Sequence, residues 1–529
     1  MATNVDPPKK PCHNCRRQRL RCDRSYPRCN KCVLAGKECL GYGQLFRWTG
    51  AVASRGKFAG KTSLATGEDG DGAERFREES VPHSSSESWT LSSGASSPSG
   101  GANNLQLVHA MSAPADEIPG PWGLTDPLFQ DLSYPYRYYL SYFTTRVCKD
   151  LVSYDLPDNN PFRALLPLTK AQPLLQHILV AVSAAHMSVL LRAPLPSSFR
   201  GDGKESYPSN EVTARVAAND SLVAKQKALQ LMNYAVQNIE TVGVDVVLAA
   251  ALFFVNVELI ESGKHGWRAH LEGAGLIMSL LPPNTAASES LRDYMLSDCF
   301  IYYVLGSAFS PPKSATFAHF SPDRLPTTLK RAAANSYLCC PPEILEILYA
   351  ASQLSAAPED DKATAEEAAA LIKKAEEFDV QAWAEDLHRN SHFSNIPVES
   401  RVHTASAHRL AACLYASQAV PATAARLGDG AGERLSRQVI QHLASVPDED
   451  PNFKATAFPT FIAGAEAKDP ETREWIMNRL RRLVFWCPWG FLYTAMETLQ
   501  VIWQLEAEGK SQRGWIQTLK DPELNFLIV

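Results

Sequence analysis

The chain has 529 residues, a length that is too great for one ordinary hydrophobic core and that indicates two or three folded units joined by linkers. The hydrophobic fraction of 45% and the charged fraction of 21% are ordinary for a soluble globular protein. The charge is unevenly divided, because residues 1–61 hold fourteen Lys and Arg against three Asp and Glu, whereas residues 62–529 hold 38 against 54. A basic head before an acidic body indicates a polyanionic partner for the head and none for the body.

The start of the chain predicts a protein that is not exported. Its first twelve residues, MATNVDPPKKPC, are polar and charged and lack the apolar core of a signal peptide. The most apolar stretches, residues 178–191 and 246–257, are shorter than the roughly 20 residues that span a bilayer, so we predict buried helices and no membrane partner. The cysteines of such a protein are kept reduced, which favours metal binding over disulfides.

Six of the twelve cysteines fall within 28 residues and form an internal repeat. Their spacing is C-x2-C-x6-C-x6-C-x2-C-x6-C, and they are Cys12, Cys15, Cys22, Cys29, Cys32 and Cys39. A structural zinc ion takes four tetrahedral ligands and prefers thiolates. Six thiolates serve two zinc ions when two sulfurs are shared, and the repeat requires the shared pair to hold equivalent positions in the two halves. We therefore predict two zinc ions per chain.

The run CHNCRRQRLRCDRSYPRCNKCVLAGKEC resembles the fungal Zn(2)-Cys(6) binuclear cluster family. The resemblance implies that Cys12 and Cys29 bridge the two zinc ions. It also implies that Pro27 lies in the loop between the halves, where the family often has a cis proline. A member of this family is expected to be a nuclear transcription factor that binds DNA and regulates RNA polymerase II, with a usual preference for CGG triplets.

Four arginines lie within residues 16–21, between the second and third cysteines. Modules of this kind place a short helix in the major groove, where arginine binds guanine with two hydrogen bonds or holds phosphates. The resemblance implies that the positions just before Leu20 reach the bases, so Arg19 is the first candidate and Gln18 the second. Because glutamine favours adenine edges, Gln18 departs from a preference for CGG half-sites. The expected phosphate contacts are Arg16, Arg17, Arg21, Arg24, Arg28 and Lys31.

The segment after the cluster predicts a tether. Residues 41–62 mix aromatic and basic side chains with glycines, which fits either an ordered extension of the cluster or a flexible linker. Residues 40–120 contain no sustained apolar heptad, so the dimerisation helix that the family often carries is not expected. Residues 65–118 are rich in Ser and Gly and too poor in apolar residues to order themselves. We expect a zinc domain at residues 1–48, a linker at 49–123 and a regulatory domain at 124–529.

The body is predicted to be helical throughout. The apolar residues Tyr139, Phe143, Val147 and Leu151 recur every four residues, as on one face of a helix. A second stripe, predicted to be a packing face, consists of Leu222, Leu229, Met232, Val236 and Ile239. Further helices are expected at residues 246–257, 267–281, 364–387, 402–420, 433–444, 471–485 and 492–508. The predicted fold class is a small Zn2Cys6 binuclear cluster domain followed by a large all-α regulatory domain.

The body also resembles a known family. The stretches SYFTTRVCKDLVSYDLPDNNPFR, GWRAHLEGAGLIM and FPTFIAGAEAKDPETREWIMNRLRRL are similar to the second group of fungal-specific transcription factor domains. The layout resembles acriflavine sensitivity control proteins and regulators of metabolite gene clusters, which implies control of a metabolite biosynthesis or drug-response gene set. The resemblance also implies a domain that senses signals or contacts the transcription machinery. Since the head lacks its own pairing helix, any homodimer is expected to form through the helical body.

Other classes of function fit the sequence less well. An enzyme is not expected, because a phosphate loop, a G-x-G-x-x-G turn, an H-E-x-x-H helix and a nucleophile elbow are all missing. A zinc-dependent protein-docking or metal-sensing module without a DNA target is the alternative, but docking would not need a basic head. Binding of single-stranded nucleic acid would require aromatic residues among the basic ones, and only Tyr26 lies inside the cluster. The sequence favours sequence-specific binding of double-stranded DNA.

Overall fold

The structure is a computed structural model, and the chain divides into two compact units, Met1–Ala95 and Ser96–Val529. In the first unit it describes residues 10–12, 15–16, 18, 20–25, 29–35 and 39. In the second it describes residues 131–529 except 157–158, 193–207, 265, 282–289, 311–319, 321, 356–361, 390–392, 394–395, 421, 424–427, 429, 510–513 and 522–525. The tether predicted at residues 65–118 and the alternatives for residues 41–62 lie outside the described residues, and the domain boundaries stay predictions.

In the described part of the first unit, Cys15 and Arg16 are helical, and a short helix with described bounds, α1, spans Asn30–Leu34. The helices described in the second unit are α2 (Tyr134–Tyr142), α3 (Cys148–Asp150), α4 (Leu165–Leu168), α5 (Pro173–Arg192), α6 (Pro208–Gln237), α7 (Ile239–Val242), α8 (Val244–Glu261), α9 (Trp267–Ser279), α10 (Ser290–Ala308), α11 (Leu325–Ala332), α12 (Pro342–Leu354), α13 (Lys362–Glu376), α14 (Val380–Arg389), α15 (Glu399–Ala419), α16 (Ala431–Ala444), α17 (Ala457–Glu466), α18 (Pro470–Trp486), α19 (Phe491–Ala507) and α20 (Gly514–Leu519). The described residues contain two isolated β-bridges and no β-strand, so the predicted all-α body is confirmed.

Helix α5 is buried along most of its length. Fifteen of its 20 residues are buried, and α2, α6 and α8 pack around it. A helix that is apolar on all sides is stable when other helices cover every face. Helix α5 is long and apolar enough to cross a membrane, but 83% of its most apolar window lies inside the protein. The buried helices predicted at residues 178–191 and 246–257 are therefore confirmed.

The predicted apolar face at residues 139–151 is buried, but the helix that carries it is irregular. Tyr139, Phe143, Val147 and Leu151 are all at most 5% exposed. Between α2 and α3, the segment Phe143–Val147 forms a π-helical turn. Such turns are rare and are frequent at functional sites. This one places Arg146 one turn before Lys149 and Asp150 of α3, and all three line the cavity described below.

Helix α6 packs against α5 with a different face from the predicted one. Leu222, Leu229 and Val236 are 59%, 42% and 50% exposed, so the predicted packing stripe is wrong for these residues, while Met232 and Ile239 are half-buried. The buried face consists of small side chains, Ala214, Ala217, Ser221, Ala224, Ala228 and Ala235. The distance between packed helices depends on the side chains at the contact, so small residues on α6 make room for the bulky residues of α5. The large apolar residues of α6 remain on its outer surface.

The single helix predicted at residues 364–387 is wrong in one respect, because the structure has two helices there. Helices α13 and α14 are separated by Glu377, Phe378 and Asp379. The Asp379 carboxylate accepts a hydrogen bond from the amide of Ala382 at 2.9 Å, which is a capping interaction that begins a new helix. The other predicted helices agree with the structure to within a few residues.

Candidate zinc centre and DNA interface

A compact group of sulfur atoms forms the centre of the head. Four Sγ atoms lie within 4.8 Å of one another, and they belong to the buried residues Cys12, Cys15, Cys29 and Cys32. The two remaining predicted ligands, Cys22 and Cys39, are half-buried at the edge of this group. The structure thus brings all six predicted zinc ligands together.

The contacts in the two halves of the repeat correspond to each other. The amide of Cys12 donates to Cys22 Sγ at 3.4 Å, and the amide of Cys29 donates to Cys39 Sγ at 3.4 Å. The amide of Cys15 donates to Cys12 Sγ at 3.5 Å, and that of Cys32 donates to Cys29 Sγ at 3.3 Å. The equal spacing of the cysteines therefore produces an approximate two-fold symmetry in the hydrogen bonds around the sulfurs.

The sulfur positions fit zinc. The Sγ atoms are 3.6 Å apart for Cys12 and Cys29, 3.7 Å for Cys12 and Cys32, and 3.7 Å for Cys15 and Cys29. Two sulfurs that bind one tetrahedral zinc at about 2.3 Å each are about 3.8 Å apart. All three of these distances join a sulfur of the first half to a sulfur of the second, so thiols of the two halves are close enough to share a metal. The donor set of thiols alone is the one that structural zinc prefers.

The cluster needs a cation to hold its thiolates. Burial raises the pKa of four thiols, Cys12, Cys15, Cys29 and Cys32. At Cys22 burial acts in the same direction, but hydrogen bonds from the amides of Cys12 and Arg24 outweigh it and lower the pKa to about 7. Zinc binds the deprotonated form of cysteine, and its positive charge offsets the unfavourable burial of several thiolates.

Asp23 organises the start of α1, a role that the cysteine pattern did not indicate. Its carboxylate accepts hydrogen bonds from the amides of Asn30 at 3.0 Å and Lys31 at 3.3 Å, and from the hydroxyl of Ser25. The bond from Ser25 and those from the two amides hold the pKa of Asp23 well below its usual value. Two amides at the N-terminus of α1 are satisfied in this way. Because Asp23 is seven residues before Asn30, no local capping pattern would have identified it.

The described residues that were expected to contact DNA face solvent. None of their charged side chains is paired with a carboxylate in the described part of the head, so their charges are available to phosphates. These residues are Arg16, Gln18, Arg21, Arg24 and Lys31. Arg17, Arg19 and Arg28 lie outside the described residues, and their predicted DNA contacts stay predictions, as does the cis form of Pro27.

Arg24 has an unusual backbone conformation. Its φ is 60°, in the left-handed region that favours glycine and asparagine. For a long side chain this conformation is unfavourable by about 1–2 kcal/mol. An exposed arginine at such a position is more consistent with a role for its side chain than with optimisation of stability.

Comparison with known proteins agrees with this geometry. The family model of the fungal Zn(2)-Cys(6) binuclear cluster domain matches residues 10–49, and the model of the fungal specific transcription factor domain matches residues 138–528. The chain belongs to the fungal transcription factors that combine these two domains. It is 33% identical to the acriflavine sensitivity control protein acr-2 of Neurospora crassa over an alignment of 620 residues that covers all of both chains. No solved structure matches the chain.

Membership of this family defines the class of function. The chain is a DNA-binding transcription regulator that uses two zinc ions, and it is not an enzyme. The alternative of a docking or metal-sensing module without a DNA target is not favoured. Fungal transcription factors with this cluster are generally nuclear proteins.

Proposed function

We propose that the chain acts in the nucleus, where the basic surface of its zinc cluster binds CGG-like half-sites in double-stranded DNA. The exposed, unpaired cations near the buried sulfurs carry the proposal of DNA binding, and the family's usual preference supports the CGG-like half-sites. Six thiolates outweigh the charge of two zinc ions, so the cluster itself repels DNA and the surrounding basic residues must supply the attraction. The excess of basic residues in residues 1–61 is large enough to do so.

The six cysteines of the repeat are the proposed zinc ligands, with Cys12 and Cys29 as the bridging pair. The name of acr-2 supports a role for this chain in a drug-response gene set, and control of metabolite biosynthesis genes is the second candidate. The helical body is the proposed site of contact with the transcription machinery. Its excess of acidic residues supports a protein partner for the body rather than DNA.

Replacement of single arginines separates base recognition from phosphate contact. Arg19→Ala should weaken binding to the preferred duplex by about 1–3 kcal/mol and relax the sequence preference, because a bidentate contact to a base edge is lost. The matched change Arg21→Ala should weaken binding to all duplexes alike and reduce the slope of log affinity against log salt by about 1. Titration of the full chain with preferred and scrambled duplexes over a range of salt measures both effects.

Two results would contradict this assignment. If Arg19→Ala weakens both duplexes equally, Arg19 holds a phosphate and another residue reads the bases, with Gln18 as the next candidate. If the unmodified chain binds a single-stranded probe as tightly as the duplex in a filter-binding comparison, recognition of double-stranded DNA is wrong.

The homodimer that we propose forms through the outer surface of α6. Leu222, Leu229 and Val236 follow one another at intervals of seven residues on this surface, and all three are exposed. Intervals of seven produce a continuous seam along a helix, which a second copy of the same helix can cover through a two-fold axis. Arg215 lies seven residues before Leu222 and is charged, so the apolar part of the seam begins at Leu222.

Sedimentation of the full chain tests this dimer. Leu229→Glu should convert a dimer to a monomer, because it would bury two like charges at the middle of the seam. Leu276→Glu is the matched control, since Leu276 is a similarly exposed leucine on α9. A chain that is monomeric before any change, or a dimer that survives Leu229→Glu, rules out pairing through α6.

A further inference from the structure

A polar cavity of about 150 Å³ lies in the body where the π-helical turn and α3 meet the loop before α17 and the end of α18. This volume has room for several water molecules or for one small metabolite. Its walls combine Arg146, Lys149 and Lys454 with the apolar side chains of Phe453 and Trp486. The two stretches that supply the basic residues are about 300 positions apart in sequence, so only the fold brings them together.

The three basic residues of the cavity lack ion-pair partners. In the described part of the body, no salt bridge links Arg146, Lys149 or Lys454 to a carboxylate, and Lys454 Nζ donates instead to the carbonyl oxygen of Lys149. Burial lowers the pKa of Lys149, and the charge of Arg146 adds to this effect. Burial likewise lowers the pKa of Lys454. The charges of Asp150 and Asp155 oppose this lowering, but among the described residues neither forms an ion pair with the three cations, so the cavity favours a negatively charged ligand.

The aspartates that line the cavity already have internal partners. Asp150 Oδ2 is 2.9 Å from His186 Nε2 and accepts a hydrogen bond from Trp489 Nε1 at 2.9 Å. Asp448 pairs with Arg482 at 3.0 Å, and Asp450 accepts a hydrogen bond from the amide of Asn452. Their charges therefore act on the three basic residues of the cavity only from beyond ion-pair distance.

We propose that this cavity binds a small organic acid, whose carboxylate contacts Arg146 and Lys149 and whose apolar part lies against Trp486 and Phe453. A guanidinium group matches the two oxygens of a carboxylate, and a nearby ammonium adds a point charge. The acidic residues of the lining, among them the exposed Glu449, oppose a doubly charged phosphate more strongly than a singly charged carboxylate. An acid bound in this cavity would be a chemical signal for the regulatory domain. Binding of the acid does not depend on contact between the head and DNA.

Thermal unfolding of the full-length protein with benzoate, benzamide and inorganic phosphate tests the proposal. Benzoate should raise the unfolding temperature by about 2 °C or more at saturation, with a logarithmic dependence on concentration. Benzamide has the same shape without the charge and should give no shift, and phosphate should give a smaller one. Arg146→Gln and Lys149→Gln should each abolish the benzoate shift. Arg481→Gln, an exposed arginine on α18 outside the cavity, should retain it.

A second readout separates a ligand site from a structural role. Without benzoate, Arg146→Gln and Lys149→Gln should unfold at the same temperature as the unmodified chain or higher, because each removes charge repulsion within the cavity. A lower unfolding temperature for both variants would assign these residues to stability and overturn the proposal. So would the absence of a benzoate shift, an equal shift with benzamide, a larger shift with phosphate, or a shift that both variants retain.

Discussion

Replacement of Cys12 by alanine should remove both zinc ions from the head and abolish specific DNA binding by the full chain. Cys12 is one of the two proposed bridging ligands, and its Sγ lies 3.6 Å from that of the other, Cys29, so we expect its loss to take one ligand from each metal. Zinc binding supplies about 10–16 kcal/mol to the folding of small zinc domains, which therefore unfold without metal. Specific binding exceeds nonspecific binding by at least about 10³-fold, and this difference should disappear. Metal analysis and duplex titration of the same sample measure both changes.

A non-bridging ligand provides a graded comparison. Cys39→Ala should leave about one zinc ion per chain, because Cys39 belongs to only one of the two proposed metal positions. Cys413→Ala removes a buried thiol of the body and should retain two zinc ions and full DNA affinity. Equal metal loss from Cys12→Ala and Cys39→Ala would contradict the bridging role of Cys12, and a single zinc in the unmodified chain would falsify the binuclear assignment.

Replacement of Asp298 by asparagine should stabilise the body. Asp298 on α10 is 1% exposed, and neither carboxyl oxygen has a hydrogen-bond partner among the described residues. Burial raises its pKa well above the usual value. The folded protein therefore holds this proton to a higher pH than the unfolded chain does, and this difference opposes folding above the unfolded pKa. We expect Asp298→Asn to increase the free energy of unfolding by about 1–3 kcal/mol at pH 7, measured as a higher urea midpoint.

The pH dependence of this gain has a definite sign. Above the unfolded pKa near 4, the unfolded chain binds fewer protons than the folded one at this position, so the stability of the unmodified protein falls as pH rises. The advantage of Asp298→Asn should be small at pH 4 and should grow toward neutral pH. Asp298→Leu should show the same trend, because it also removes the ionisable group.

A carboxylate on the same helix serves as the control for Asp298. Asp293 accepts a hydrogen bond from Arg331 Nε at 2.7 Å, so Asp293→Asn should lower the urea midpoint. If Asp298→Asn is destabilising at all pH values, an unobserved partner satisfies the carboxylate.

The zinc cluster could be predicted from the sequence because its chemistry depends on local spacing. The interval between cysteines determines which sulfurs can meet at one metal, and the structure places the six predicted ligands together. The cap provided by Asp23 could not be predicted, since its partners Asn30 and Lys31 are several residues away and the turn between them has no sequence signature. The left-handed φ of Arg24 could not be predicted either, because arginine has no preference for this region of backbone conformation.

The helical class of the body could also be predicted, but the packing of its faces could not. Apolar periodicity identifies a helix, and large apolar residues such as Leu222 and Leu229 would normally mark its buried side. In α6 the buried side consists of small residues such as Ala224 and Ala228, because small side chains let this helix pack closely against α5. The cavity at Arg146 and Lys454 lay beyond sequence reasoning for another reason, because its parts come from distant segments that only the tertiary fold joins.

The approximate two-fold symmetry of the sulfur contacts distinguishes the part of the head that binds metal from the part that is proposed to bind DNA. Each half ends in a six-residue segment between its last two cysteines, and the two segments differ at every position: RRQRLR in the first half and VLAGKE in the second. The first is strongly basic, whereas the second begins with Val33 and Leu34, both exposed to solvent. Since the sulfur framework makes the same contacts in both halves, we expect an exchange of the two segments to move the proposed recognition surface to the opposite half without disturbing the framework. The metal-binding role of the head can in this way be separated from its proposed DNA-binding role.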